Sequence, residues 1–426
     1  MTESAIRIYP PLEMLEATPQ RLPLSKSIAA RALVLAALSG SHVAADRLPV
    51  CTDIKVLRDA LAGPSADNAT VNVEDSGTAL RFLTAYFAAK DGADVTLTGS
   101  DRLCRRPVRP LVDALRSLGA EIDYVGNDGF APLHIRGHRL DGGEVTLDAS
   151  SSSQFASALA MIAPTMGKGL RINLGGQIPS MPYLKMTLSM LEARGIDAYI
   201  EAYTAVIPHG AIKNVEGEAE PDWSSASYWY SIAAVSAGWV TLPGMKPESL
   251  QGDSVLKNIG ERFGVVTEFT DEGAELSATP DIYSRLDMDM ADWPDLVPAI
   301  AVTGALTGLP YVLSGVGNLR HKECDRLEAL AEGLAQLGIV AEVGNDTFAW
   351  EGERRPIMRM PEIDPHGDHR IAMAFAAASL VLPGIVIKDP AVVAKSYPGF
   401  FEDLADAGFT VCGLNDPVPE EFLPQE

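Results

Sequence analysis

DHRIAMAFAAASLVLPGIVIKD, residues 368–389, holds the pattern that decides the fold. Asp368, His369 and Arg370 open a run, IAMAFAAASLV (371–381), that contains no charge, and the strand-like GIVIKD (384–389) follows. A helix that is apolar all round lies inside a core rather than on a surface. The β-branched run behind it reads as a strand.

Similar polar starts precede apolar runs at Lys26-Ser27, Ser76-Gly77-Thr78, Ser152-Ser153-Gln154, Ser224-Ser225-Ala226-Ser227 and Asp295. The steps between Ser27, Ser76, Ser153, Ser225, Asp295 and Asp368 are 49, 77, 72, 70 and 73 residues. Further strand candidates are DVTLTG (94–99), GLRINLG (169–175), WVTLPG (239–244) and PYVLSGV (310–316). A second series runs in phase with the first, each copy an amphipathic helix that stops at a glycine before a strand. Its copies are DALRSLGAEIDYV (113–125), SMLEARGIDAYIE (189–201), KNIGERFGVVTEF (257–269), EGLAQLGIVAEVG (332–344) and EDLADAGFTV (402–411), with a weaker LRDALAG at 57–63.

Six such units fill the chain, since 426 divided by 6 is 71. A solenoid is disfavoured, because its helices expose a face and its ends need caps. Three units wrapped around three buried helices make one globular domain, and two such domains make the chain. The expected boundary lies near residue 222, in EGEAEPDWS (216–224).

Hydrophobic residues make up 47% and charged residues 21%, which is a globular composition. The net charge of −23 argues against a nucleic-acid partner, which needs clustered cations. An anionic ligand must instead be held by a local positive pocket. MTESAIRIYPPLEML carries no signal-peptide pattern, and no run reaches the length of a membrane span. Cys51, Cys104, Cys324 and Cys412 lie far apart, so zinc and redox motifs are unsupported and reduced thiols in the cytosol are expected.

The polar starts carry the chemistry. A helix N-terminus offers free N–H groups and partial positive charge, and so binds anions. Lys or Arg at such an end is disfavoured by the dipole unless something negative sits beside it. Lys26, Ser27 and Arg31 could meet one phosphate or carboxylate, or could be a capped core helix with incidental cations. Gly77 permits close backbone approach to a ligand. Asp101-Arg102-Leu103-Cys104-Arg105-Arg106 is either an anion clamp or a solvated cluster. The serines at 150–153 with Gln154 offer hydroxyl and amide groups, or form a linker. Asp295 is either an N-cap or a functional carboxylate. In Asn318-Leu319-Arg320-His321-Lys322-Glu323-Cys324-Asp325-Arg326, Lys322 and Arg326 at i,i+4 are expected to share a helix face. Glu323 between them is a candidate proton-transfer group.

These motifs together resemble the enolpyruvyl transferases that act on shikimate 3-phosphate, from LPLSKSIAARAL (22–33) to VVAKSYPGFF (392–401). They recur in the family's order, including S-K-S-x-x-x-R, S-G-T-A-x-R, S-S-Q-F, K-E-x-D-R, D-H-R and A-K-S-x-P. The nucleotide-sugar enolpyruvyl transferases look less similar, because they use a different Lys-Asn motif and a loop cysteine that Cys104 does not match. A non-catalytic anion-binding protein of the same fold is a further alternative, but Lys26, Asp295, Glu323 and Arg370 are all retained.

The resemblance implies an α/β (α+β) fold of two lobes, each of three βαβαββ units, closing over the substrates. Residues 21–222 would form the first lobe, and 1–20 with 223–426 the second. It implies addition–elimination between phosphoenolpyruvate and the 5-hydroxyl of shikimate 3-phosphate, on the route to chorismate and aromatic amino acids. No metal or organic cofactor is implied, and a cytoplasmic monomer is expected. Shikimate 3-phosphate would be held by Lys26, Ser27, Arg31, Ser152, Ser153, Ser180, Asp295, Asn318 and Lys322. Phosphoenolpyruvate would be held by Lys26, Gly77, Arg106, Gln154, Arg326, Arg370 and Lys395. Asp295 and Glu323 would handle the protons, with Lys26 assisting. Four departures stand beside these positions: Leu24 for a usual Gly, Asp75 for Asn, Phe82 for Pro and Cys324 for Thr. Inhibition by glyphosate is expected, since Gly77 leaves the space it needs.

Overall fold

The computed structural model describes residues 4–63, 69–148, 152–175, 178–215 and 219–423. Ser150 and Ser151 of the serine run, and residues 216–218 of the expected boundary loop, lie outside these. The chain divides into two compact units. In sequence order the inner one is Leu24–Glu220 with Leu250–Gly252. The outer one is Met1–Pro23, Pro221–Ser249 and Asp253–Glu426. The return of Leu250–Gly252 to the inner unit has no counterpart in the sequence reading. There the Glu220 carboxylate accepts the Leu250 N–H at 3.2 Å and the Gln251 Nε2–H at 3.0 Å.

One βαβαββ rule builds every sheet. In the inner unit Ala69–Asn72 lies parallel to Asp94–Thr98, with the buried helix Gly77–Ala89 between them in sequence. Leu133–Arg136 then pairs antiparallel with Asp94–Thr98, and Glu121–Tyr124 antiparallel with Leu133–Arg136. The described residues form five four-stranded sheets with this pattern, two in the inner unit and three in the outer. The N-terminus completes two of the outer ones. Ala5–Tyr9 inserts between Ile385–Lys388 and Thr410–Gly413, antiparallel to both, and Glu16–Ala17 pairs parallel with Trp239–Pro243.

The first repeat differs. Its helices Lys26–Ser39 and Thr52–Ala62 have no four-stranded sheet of their own among the described residues. Its glycine differs too. Gly119, Gly195, Gly264, Gly338 and Gly408 all have φ between 71° and 98°, the left-handed stop that glycine permits. Gly63 has φ −113°, and needs no such freedom.

The apolar helices form the cores. Lys26–Ser39, Gly77–Ala89 and Ser153–Ile162 pack on one another in the inner unit, and Trp223–Ser236, Val297–Thr307 and His369–Ala376 in the outer. Each is too apolar to face water on any side, so three meet at the centre of each unit and the sheets cover them. Their polar starts are thereby brought to the ends of the core helices. Among the described residues no helix is long and apolar enough to cross a membrane.

Candidate active site

In the outer unit two of the polar starts, at Asp295 and Asp368, meet around one guanidinium. Arg326, 1% exposed, begins the helix Arg326–Gln336 and contacts three carboxylates. Its Nε donates to Asp368 Oδ2 at 2.7 Å, its Nη1 to Asp295 Oδ1 at 3.0 Å and its Nη2 to Glu323 Oε2 at 2.9 Å. Arg370 Nη2 donates to the other oxygen of Asp295 at 2.8 Å. Lys395 Nζ lies 3.9 Å from Glu323 Oε1. Buried cations and carboxylates persist only when paired, and these are paired with one another.

The cluster holds Lys322, Arg326, Arg370 and Lys395 against Asp295, Glu323 and Asp368, four cations to three anions. Burial is the largest influence on Asp295 and opposes its charge. Arg370, Lys322 and Arg326 together outweigh it and hold the carboxyl well below the usual carboxylate range. Burial likewise disfavours the charge of Arg326, but Asp368, Glu323 and Asp295 more than compensate and raise its pKa. The side-chain oxygen of Asn318 is buried without a hydrogen-bond partner, and so has acceptor capacity to spare.

In the inner unit Gly77 begins the helix Gly77–Ala89, capped by Ser76. A Cβ at Gly77 would lie 2.7 Å from Arg106 Nη1 and 3.0 Å from Arg81 Nη1, so two guanidiniums press on this helix start. Arg81 donates to Gln154 Oε1 at 2.6 Å, and Gln154 Nε2 donates to Thr78 Oγ1 at 3.0 Å. Arg106 Nε is buried with no hydrogen-bond partner. Helix dipole and two arginines are the chemistry that an anion requires. Ser152 caps Gln154, Ser153 is buried beside it, and Ser180 sits in the left-handed region (φ 60°) at the start of Met181–Ala193. That conformation is uncommon for a serine and concentrates at functional positions.

Two expectations need correction. Asp295 is not an N-cap: the helix is Val297–Thr307, Leu296 precedes it, and the Asp295 side chain is taken by the two arginines. Lys322 and Arg326 share no helix face, because Asp325 caps the helix and Lys322 precedes it. Lys26 at its helix start meets a protein carboxylate, Asp53 Oδ2 at 3.0 Å. Arg31, 3% exposed, donates to Thr187 Oγ1, Ser157 Oγ and the carbonyls of Ser27 and Tyr183. Burial without a carboxylate pushes its pKa down to about 10.

The three clustered arginines have three fates. Arg102 pairs with Asp75 at 3.0 Å, Arg105 is exposed and Arg106 turns to Gly77. The departure at Asp75 thus has a local answer, since its carboxylate also accepts the Ser100 hydroxyl. Sequence reasoning missed Asp368 and Asp53 as ion-pair partners and Arg81 as the support of Gln154. Asp368 opened a motif already noted, but its partner lies 42 residues away. Asp53 and Arg81 carried no periodic signal.

The chain matches the family model described as EPSP synthase (3-phosphoshikimate 1-carboxyvinyltransferase) over residues 61–404. A 3-phosphoshikimate 1-carboxyvinyltransferase of Bacteroides fragilis is 42% identical over 394 residues, covering 92% of this chain and 95% of its own. One from Syntrophobacter fumaroxidans is 38% identical over 403 residues, covering 89% and 95%. The solved EPSP synthase of Acinetobacter baumannii has the same fold, with a TM-score of 0.74 over 96% of this chain and 99% of that one, at 23% identity. Family model and relatives agree across nearly the whole length, and the chain belongs to the EPSP synthase family of 3-phosphoshikimate 1-carboxyvinyltransferases.

Proposed function

We propose that this chain joins phosphoenolpyruvate to the 5-hydroxyl of shikimate 3-phosphate and releases phosphate, with its two clusters dividing the work. The observation that carries the reading is Arg326, which holds Asp295 and Glu323, two candidate proton carriers, at 3.0 and 2.9 Å. Arg326, Arg370 and Lys395 are assigned to phosphoenolpyruvate, as are Lys26, Gly77, Arg106 and Gln154 of the inner unit. Ser27, Arg31, Ser152, Ser153 and Ser180, with Lys26, Asp295, Asn318 and Lys322, are assigned to shikimate 3-phosphate.

Phosphoenolpyruvate brings a carboxylate and a phosphate that compete for the arginines. As they take Arg326 and Arg370, Asp295 loses ion pairs and gains basicity. It accepts the 5-hydroxyl proton while the oxygen attacks C2, and Glu323, which takes up a proton from solvent as phosphoenolpyruvate draws Arg326 and Lys395 away from it, protonates the methylene carbon. The Glu323 carboxylate then takes back a methyl proton from the tetrahedral intermediate as the C2–O bond to phosphate breaks, which restores the enol ether and releases phosphate. Developing positive charge at C2 is stabilised by the neighbouring carboxylates, and charge on the departing phosphate by Lys and Arg. The four-to-three excess of cations supports this binding of anions. Action as a cytoplasmic monomer, without nucleic acid, belongs to the same proposal, and gel filtration tests the oligomeric part.

The test is phosphate release from phosphoenolpyruvate with shikimate 3-phosphate, compared with Glu323→Gln and Asp295→Ala. Each variant is expected to lose roughly 100-fold or more in kcat. Unchanged turnover in both overturns the assigned roles. Turnover with a nucleotide sugar as sole acceptor overturns the assigned substrate.

A further inference from the structure

Tyr397 and Asp403 form a buried network in the outer unit that none of the roles above uses. Tyr397 has no exposed surface and Asp403 is 1% exposed. The Tyr397 hydroxyl donates to Asp403 Oδ2 at 2.6 Å and accepts the Trp229 Nε1–H at 3.2 Å. Trp229 belongs to the core helix Trp223–Ser236, and Asp403 to the short helix Phe400–Asp406. Asp403 Oδ1 also accepts the backbone N–H groups of Gln20 and Arg21, at 3.0 and 3.1 Å, and Arg21 Nη1 at 3.0 Å. A Cβ at Gly399 would lie 2.5 Å from Arg21 Cδ, so this glycine leaves room for Arg21 to reach Asp403. A buried carboxylate and a buried hydroxyl each cost free energy unless hydrogen-bonded. Here each satisfies the other, so neither shifts alone. Burial, and then Asp403, push the Tyr397 phenol above its ordinary range, and it stays protonated as a donor.

Tyr397 stands two residues after Lys395, which ends the short helical turn Pro390–Lys395. The Val393 carbonyl accepts the N–H groups of Ser396 at 3.1 Å and Tyr397 at 2.8 Å. Lys395 is therefore enclosed in a turn that the Tyr397 backbone closes and the Tyr397 side chain anchors. A lysine ammonium sits on a flexible four-carbon stem, so where it points depends on how its backbone is held. Building on the assignment of Lys395 to phosphoenolpyruvate, we propose that Tyr397 and Asp403 are positioning residues for Lys395. They tie its turn to the core helix Trp223–Ser236 and to residues 20–21, and so keep its ammonium beside Glu323.

The experiment compares wild type with Tyr397→Phe, which removes the hydroxyl and keeps the ring against Phe400, 5.4 Å away between centroids. The first readout is the rate at which acetic anhydride labels Lys395, followed by mass spectrometry relative to Lys26 of the inner unit. It needs no substrate. Tyr397→Phe is expected to raise that relative rate about fivefold, the effect of roughly one net hydrogen bond. The second readout is the Kd for phosphoenolpyruvate from calorimetric titration, with Lys395 present and in Lys395→Met. Tyr397→Phe is expected to raise Kd about fivefold when Lys395 is present and less than about twofold in Lys395→Met, because residues that act through one another are not additive. A tyrosine that serves only the fold would change Kd by the same factor in both backgrounds. Unchanged labelling of Lys395 overturns the proposal, and so does an equal rise of Kd in both backgrounds. Faster labelling with an unchanged Kd upholds the positioning of Lys395 and refutes its assignment to phosphoenolpyruvate.

Discussion

Asp368 Oδ2 accepts the Nε–H of Arg326 at 2.7 Å, while its Oδ1 accepts the backbone N–H of Arg370 at 2.9 Å. Asp368 has no exposed surface. One buried carboxylate therefore orients both arginines of the outer cluster, one through its side chain and one through its helix start. Removing it leaves Arg326 buried with less compensation. Asp368→Ala is expected to cost about 3–5 kcal/mol of outer-unit stability. Denaturant unfolding reads the loss, and Asp368→Asn, which keeps the cap acceptor, should lose less.

Asp295 supports a pH prediction in the opposite sense to a raised carboxyl. Its folded-state pKa is depressed, so its stabilising contribution is present above the ordinary carboxyl value and is lost as pH falls through the folded one. Asp295→Asn should therefore lower the melting temperature by the same amount at about pH 6 and about pH 8. The difference should shrink below about pH 4. A difference that changes between pH 6 and 8 contradicts the assigned ionisation.

At Gly77 two guanidiniums come close to a helix start. A methyl group there would meet Arg106 Nη1 at 2.7 Å, a movable side-chain end, so Gly77→Ala should fold. Its displaced Arg106 is expected to raise KM for phosphoenolpyruvate about tenfold, roughly the loss of one charge-assisted hydrogen bond. Wild-type enzyme is expected to be inhibited by glyphosate in the same assay. Full activity at millimolar inhibitor counts against an anion site beside Gly77 and Arg106.

Asp253, buried in the outer unit, gives a stability test independent of catalysis. Burial, and then Asp295, push its carboxyl up to about 7. The raised carboxyl favours the folded state at low pH, and that contribution is lost as pH rises through about 7. Asp253→Asn cannot ionise. Its melting temperature relative to wild type should therefore rise between about pH 5 and about pH 8. A constant difference across that range counts against the buried, neutral Asp253.

The chain's repetition is written in its residues. Core helices must be apolar all round and sheet strands need β-branched runs, so DVTLTG, GLRINLG, WVTLPG, PYVLSGV and GIVIKD each mark a strand. Five of the six stop glycines carry the left-handed turn that only their lack of Cβ makes cheap. The motifs at the helix starts likewise announce an anion-binding chemistry and the family that uses it. Ion-pair geometry is not local in that way. Asp368 meets Arg326 across 42 residues, Asp295 meets Arg370 across 75 and Lys26 meets Asp53 across 27, and no period links these distances. The closure of two sheets by Ala5–Tyr9 and Glu16–Ala17 is equally non-local. Periodicity follows from each element's own burial, and so the sequence by itself determines it. Which cation finds which carboxylate depends on how core helices from separate repeats bring their ends together, and only the tertiary structure decides that.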